Sequence, residues 1–172
     1  IYFTAGNEIY ISVYKLDIEE AEVSLFYQEN FNTNIQLSKD GKTLFFLKQR
    51  SDLPSEIFSI STDGKNTLKQ ITYTNKDLLA QLEMNPVETF WAVGANGDKV
   101  QSILIKPPFF DASKKYPMIF LVHGGPQGAW EDNFHYRWNI QLFAAQGYVV
   151  VAPNPRGSTG YGQKFTDEIS GD

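Results

Sequence analysis

Two apolar runs of strand length in the second half of the chain constrain its fold most strongly. Met118-Ile119-Phe120-Leu121-Val122 and Tyr148-Val149-Val150-Val151-Ala152 carry no charge, which is typical of strands covered on both faces of a sheet. Between them, residues 134–146 place apolar side chains at helical spacing, and Gly147 is suited to end a helix. Strand, helix and strand with short connections form a βαβ unit, so the sequence predicts a parallel sheet.

A hairpin precedes this unit. Residues 88–93 and 100–106 are strand-like and flank the turn sequence Ala95-Asn96-Gly97-Asp98. Pro107-Pro108 ends the second of these strands, because proline cannot donate to a sheet. At the other end, residues 163–169 predict the start of a further helix.

The first half of the chain predicts short strands and turns. Asp40-Gly41 and Asp63-Gly64 mark two of the turns. The strands are rich in aromatic and β-branched residues and cover residues 1–3, 9–16, 23–26, 32–37, 43–47, 55–61 and 68–72. We therefore expect residues 1–77 to be almost wholly antiparallel.

This first half also repeats itself. Three matched segments recur 43 to 45 residues apart: Tyr2-Phe3 with Phe45-Phe46, Tyr14-Lys15-Leu16 with Phe58-Ser59-Ile60, and Val23 with Leu68. A period of roughly 40–50 residues with four strands per unit is typical of β-propeller blades. A plain antiparallel meander is the alternative interpretation.

Composition and charge exclude several classes of function. With 15 basic and 20 acidic residues the net charge is −5, and no run of Lys and Arg occurs, so nucleic acid and membrane surfaces are not expected as partners. The absence of cysteine excludes disulfides, cysteine nucleophiles and thiolate zinc sites. No apolar run approaches the roughly 20 residues that span a bilayer, and no signal peptide is visible. We expect a soluble protein, and the sequence does not decide between cytoplasm and periplasm.

Both ends of the chain interrupt a pattern. Ile1 lies within an apolar alternation, and Ser170-Gly171-Asp172 follows no closing element. We therefore expect a segment of a longer protein, in which sheet edges lack partners. Apolar surface around Phe45, Phe58 and Val149 is expected to be exposed, which favours a homo-oligomer or domain exchange.

The most informative chemical motif is His123-Gly124-Gly125-Pro126, which directly follows the first apolar run. Its glycines permit positive φ and a close backbone approach, as a loop needs when it aims bare N–H groups at a small anion. In α/β-hydrolases the loop after the third strand supplies one oxyanion-hole donor, and the HGGG-type motif of esterases lies there. A tight strand-to-helix turn with a capping histidine is the alternative.

A second motif, Asn154-Pro155-Arg156-Gly157-Ser158-Thr159-Gly160-Tyr161-Gly162, follows the second apolar run. Its glycines have the reverse order of a dinucleotide-binding G-x-G-x-x-G fingerprint. A phosphate-binding G-x-x-x-x-G-K-[ST] loop is excluded as well, because Gln163 intervenes and Phe165 follows Lys164.

Together, the two motifs resemble the start of the catalytic domain in the prolyl oligopeptidase family of serine peptidases, closest to its acylaminoacyl-peptidase and dipeptidyl-peptidase-like branch. Members of that family carry a β-propeller before an α/β-hydrolase domain. The resemblance implies the end of a propeller at residues 1–77, a linker at 78–86 and the N-terminal part of a hydrolase domain at 87–172, with both domains incomplete. It implies no metal or organic cofactor.

The resemblance also assigns candidate site residues. It implies that the backbone N–H of Gly125 is an oxyanion-hole donor. His123 is implied to line the site, where a related branch carries a tyrosine, although a structural histidine is equally consistent. Arg156 is expected to organise its loop through an ion pair, and His135 to lie at the surface or cap a helix. The nucleophile motif G-x-S-x-G is absent, so the catalytic Ser, Asp and His are expected outside this chain.

The parent protein is thus expected to hydrolyse peptide bonds of short peptides through an acyl-enzyme, with the propeller restricting access. The 172-residue chain alone is expected to be inactive. Two alternatives stay open. An esterase-like α/β-hydrolase shares the His-Gly-Gly loop, and a propeller without catalysis would serve as a binding protein.

Overall fold

The computed structural model describes residues 1–65, 67–125 and 127–171, and over these residues the strands form two sheets. The strands are β1 Tyr2–Asn7, β2 Tyr10–Asp17, β3 Glu22–Tyr27, β4 Phe31–Leu37, β5 Thr43–Arg50, β6 Leu53–Ser61, β7 Leu68–Gln70, β8 Glu88–Val93, β9 Lys99–Ile105, β10 Met118–Phe120 and β11 Val149–Asn154. The helices are α1 Lys76–Leu79, α2 Ile140–Ala144 and α3 Gln163–Asp167.

The first sheet consists of two antiparallel units. β1 and β3 flank β2, while β4, β5, β6 and β7 follow one another as a meander. A parallel pairing of Ile11 with Phe31 joins the units. The predicted strands are therefore confirmed. The prediction for residues 1–77 is wrong at that parallel pairing and at the last two residues, where α1 begins.

The two units share an apolar core, which we call the first core: Val13, Leu44, Phe46, Phe58 and Ile60. Val13 comes from the first unit and the others from the second. Tyr27 adds an aromatic contact across the units, with its ring centroid 5.8 Å from that of Phe46. Alternation along β5 and β6 buries one face of the meander, as expected for a sheet packed on one side.

The second sheet has the order β10-β11-β9-β8. β10 and β11 are parallel, and α2 lies between them in the chain within residues 134–146, so the predicted βαβ unit is confirmed. The hairpin of β8 and β9 is confirmed as well, with Asn96 in its turn at φ 58°. The helix is shorter than predicted because Asn139 begins it, its side chain accepting the Gln141 N–H at 2.9 Å.

The prediction that both apolar runs are covered on two faces is wrong for the first run. β10 is an edge strand, and Met118, Phe120 and Val122 are 60%, 56% and 70% exposed. β10 has a sheet partner on one side, β11, and α2 contacts β11 and β9 instead. The expected apolar exposure is found at Phe45, whereas Phe58 is buried in the first core and Val149, paired with β10, is only partly exposed.

A second core joins the two halves of the chain. It contains Ile103 and Ile105 of β9, Val150 and Ala152 of β11, and Ile9 from the turn between β1 and β2. Ile9 is 1% exposed, so the first half of the chain contributes a side chain to the core of the second. This contact fixes the first sheet beside the loops that follow β10 and β11.

Candidate active site

The His-Gly-Gly loop directly follows β10, where the Leu121 N–H still donates to the Val151 carbonyl at 2.8 Å. Gly125 has φ 142°, a conformation that favours glycine, and an added Cβ would lie 2.7 Å from the Gln127 nitrogen. Gly125 is exposed, and its N–H makes no hydrogen bond to any residue that the structure describes. The loop thus presents a bare donor to solvent. Pro126, which completes the sequence motif, lies outside the described residues.

His123 connects the two sequence motifs. Its Nε2 lies 2.9 Å from the Ser158 Oγ, and its Nδ1 lies 3.0 Å from the Gly124 carbonyl oxygen. The residues are 35 positions apart in the chain. The two motifs, separate in the sequence, therefore form one cluster at the carboxyl ends of the parallel strands β10 and β11.

The second motif is braced by a buried amide. Asn154, fully buried at the end of β11, accepts the Trp130 N–H at 2.7 Å and donates to the Trp130 carbonyl at 2.9 Å. It also donates to the Tyr161 hydroxyl at 2.8 Å. The Trp130 indole N–H in turn donates to the Leu121 carbonyl at 3.0 Å. These bonds tie both motifs to one rigid frame.

The frame also contacts the first half of the chain. The Tyr161 hydroxyl donates to Gln101, whose amide donates to Glu8 at 3.0 Å. The Glu8 N–H donates to the Gly160 carbonyl at 2.9 Å. Gly160 has φ 91°, and a Cβ there would lie 2.7 Å from the Glu8 carbonyl oxygen, so only glycine allows this approach. Burial raises the pKa of Tyr161 to about 12, so its hydroxyl stays protonated and available as a donor.

Asp132 is a junction residue that the sequence analysis missed. The residue is 5% exposed, and its carboxylate accepts a hydrogen bond from the Asn30 amide at 2.6 Å and another from the Ser51 N–H at 2.9 Å. Its own N–H donates to the Ile9 carbonyl at 2.8 Å. Burial raises the pKa of the Asp132 carboxyl. A single aspartate in a loop usually indicates a solvated surface, so no sequence signal marked it.

Glu131, beside this junction residue, is half-buried. Burial raises the pKa of its carboxyl to about 7. No hydrogen bond or ion pair of this side chain is found among the described residues. The group is therefore charged at high pH in an environment that disfavours the charge.

The remaining sequence candidates have other roles. His135 is exposed, which confirms its interpretation as a surface residue, and its Nδ1 accepts the N–H groups of Arg137 and Trp138 at 3.2 and 2.9 Å. It caps none of the described helices, because α2 begins later and is capped by Asn139. Ser158 is 0% exposed and Ser170 lies near the end of the described chain. The ion pair expected for Arg156 stays a prediction.

A cavity of about 300 Å³ lies beside the His-Gly-Gly loop, and its wall includes Val122, His123, Trp130 and Trp138. No group of His, Cys, Asp and Glu that could hold a metal occurs in the described part of the chain. None of the described helices has the length and apolar character to cross a bilayer.

Comparisons with known proteins agree on one family. A model of the prolyl oligopeptidase family matches residues 134–172. The dipeptidyl-peptidase 5 of Arthroderma otae is 48% identical over 118 residues, which are 67% of this chain and 16% of that protein. The probable dipeptidyl-peptidase 5 of Arthroderma benhamiae is 41% identical over 155 residues, which are 89% of this chain and 20% of that protein. The chain thus spans about a fifth or less of the length of these relatives.

Two solved structures match nearly the whole chain. The acylaminoacyl peptidase of Pyrococcus horikoshii is 28% identical with a TM-score of 0.79, over 98% of this chain and 25% of that one. An acylaminoacyl peptidase in complex with Z-Gly-Gly-Phe-chloromethyl ketone is 27% identical with a TM-score of 0.81, at the same coverage. The chain therefore belongs to the prolyl oligopeptidase family of serine peptidases, in its branch of dipeptidyl and acylaminoacyl peptidases.

Proposed function

We propose that the complete protein containing this chain is a serine peptidase that hydrolyses peptide bonds of short peptides through an acyl-enzyme. In this proposal residues 1–77 end a β-propeller that restricts access, residues 78–86 are a linker, and residues 87–172 begin an α/β-hydrolase domain. The acylaminoacyl peptidase bound to a peptide chloromethyl ketone supports a peptide substrate. The two antiparallel units of the first sheet support the propeller.

The observation that carries this proposal is the N–H of Gly125. It is exposed, lies in the loop after a parallel strand, and is unpaired within the described ranges. Acyl transfer builds negative charge on the carbonyl oxygen of the substrate, and a donor already aimed at that oxygen lowers the barrier by about 2.7–4 kcal/mol. His123 lines the same loop and faces the adjoining cavity.

The rest of the catalytic machinery belongs to other parts of the complete protein. In α/β-hydrolases the second oxyanion donor follows the nucleophile, and the triad order is Ser, Asp, His. No G-x-S-x-G sequence occurs in this chain. We therefore expect the 172-residue chain alone neither to hydrolyse peptides nor to react with a fluorophosphonate.

The test is Gly125→Pro in the complete protein. The substitution deletes the N–H, and we expect kcat for a short peptide substrate to fall about 100-fold or more. Gly125→Ala is the matched control, because it keeps the N–H while adding a Cβ at the same strained position, 2.7 Å from the Gln127 nitrogen. Its kcat should stay about 10-fold or more above that of Gly125→Pro, because the donor remains. A folded Gly125→Pro protein with unchanged turnover would overturn the proposed role, and absence of peptide hydrolysis by the wild type would overturn the proposed function.

A further inference from the structure

We propose that Ser158 is a positioning residue for the oxyanion loop: its buried hydroxyl holds the His123 ring, and the ring sets the direction of the Gly125 N–H. The inference rests on the proposed function, because it assigns a supporting residue to that site. Sequence alone suggested no such role, since Ser158 lies 35 residues from His123.

The direction of the hydrogen bonds excludes Ser158 as a nucleophile in this geometry. Its hydroxyl donates to the Pro155 carbonyl at 2.6 Å, and a carbonyl oxygen can only accept. The serine proton is thus committed, so His123 must donate from Nε2 to the Ser158 oxygen. A base that activates a serine accepts its proton, which is the opposite arrangement. Full burial also keeps the hydroxyl away from a substrate.

Ser158 itself is held firmly. Its N–H donates to the Pro155 carbonyl at 3.0 Å, and its carbonyl accepts the Thr166 hydroxyl at 3.0 Å. The next residue, Thr159, donates its N–H to Gly128 at 3.1 Å, which bridges the two loops a second time. The hydroxyl therefore provides a fixed point against which the ring of His123 can be oriented.

The ring transmits this position to the donor through one peptide group. Its Nδ1 lies 3.0 Å from the Gly124 carbonyl oxygen. Because Nε2 already donates to Ser158, this second contact is a hydrogen bond in the imidazolium form of the ring, which donates at both nitrogens. The Gly124 carbonyl and the Gly125 N–H belong to the same planar trans peptide and point in opposite directions. Fixing the carbonyl therefore fixes the direction of the N–H. Glycine at both positions would otherwise leave this peptide free to rotate.

The test is Ser158→Ala in the complete protein, measured with a peptide substrate and with a peptide aldehyde that forms a tetrahedral adduct. Loss of one hydrogen bond should lower kcat about 10-fold and weaken the binding of the peptide aldehyde by a similar factor. The KM for the peptide substrate should stay within about twofold of the wild-type value. Ser55→Ala is the matched control, because it makes the same chemical change at an exposed position of β6, outside the candidate site. It should change neither parameter by more than about twofold.

A double-mutant cycle separates positioning from general stability. His123→Ala removes the ring, so Ser158→Ala added to it should cost no further activity. Additive losses, or an unchanged kcat in Ser158→Ala, would overturn the inference while leaving the proposed function intact. A fall in kcat that is accompanied by a marked fall in melting temperature, as expected of a merely structural residue, would overturn it too. Ser158→Cys provides a second variant if the alanine protein does not fold. Fluorophosphonate labelling of Ser158, or absence of peptide hydrolysis by the wild type, would overturn it as well.

Discussion

The two sheets differ in how far they complete their own structure. The first sheet buries the first core between its two units, with Val13 on one side and Phe46 and Phe58 on the other. The second sheet has an exposed apolar edge at Met118 and Phe120 and takes Ile9 from the other half into its core. The candidate site lies on the sheet whose core includes a side chain from the other half of the chain. The association expected from the sequence would cover that edge, and it stays a prediction.

The contrast teaches where the site obtains its rigidity. β10 is an edge strand of the second sheet, so the loop after it lacks the support that a strand on each side would provide. Support comes instead from side chains that cross between loops, through Asn154, Ser158 and Asp132. Substitutions at the junction should therefore affect the site region more than substitutions of similar size elsewhere on the surface.

The largest effect is expected from Ile9→Ala. Ile9 is 1% exposed within the second core, and removal of a buried isoleucine side chain costs about 2–5 kcal/mol. In the complete protein, hydrogen exchange should show faster opening of β9 and β11, while amides of β5 beside the first core keep their protection. Ile18→Ala, at a position that is 68% exposed, is the control and should cost less than about 1 kcal/mol. Loss of protection in β5 alone would contradict the assignment of Ile9 to the second core.

A smaller effect is expected from Asp132→Ala. The change leaves the buried Ser51 N–H and the Asn30 amide without their acceptor, which costs about 1–3 kcal/mol. Hydrogen exchange should show reduced protection of the Ser51 amide and of the loop around Trp130. Asp132→Asn keeps an acceptor for Ser51 and should lose less. Asp77→Ala, an exposed aspartate without a side-chain partner in the described chain, controls for loss of charge. Unchanged Ser51 exchange in Asp132→Ala would show that the junction bond contributes nothing.

Much of the fold was predictable because its signals are local. Alternation along β5 and β6, the Asp-Gly turns and the apolar run of β11 each lie within a few neighbouring residues. The prediction failed at β10, because an apolar run indicates that a strand needs cover and does not say which residues provide it. It also failed at the start of α2, where the N-cap Asn139 overrides the apolar spacing that begins at residue 134.

The candidate site was predictable only in part. His123 and Gly125 belong to a recognisable motif, so their resemblance carried information about chemistry. The contact of His123 with Ser158 spans 35 residues, and that of Asp132 with Asn30 spans 102. No periodicity or spacing rule reaches that far, because these pairs are fixed by the relative placement of the two sheets.

The smallest effect concerns pH and Glu131. The folded chain raises the pKa of this carboxyl from 4.5 to about 7 through burial, so between these values the folded state binds more protons than the unfolded state. The free energy of unfolding should therefore fall as pH rises from about 4.5 to about 7, and the full cost should be present above that. Glu131→Gln removes the charge, and we expect it to stabilise the complete protein by about 1–2 kcal/mol at pH 8, a value reduced because solvent reaches the half-buried group. The gain should vanish near pH 4.5, as measured by denaturant unfolding at both pH values.

Glu20→Gln, at an exposed turn, removes the same charge and should change stability by less than about 0.5 kcal/mol at either pH. An equal gain from both variants would show that net charge, and not the burial of Glu131 at the junction, sets the pH dependence.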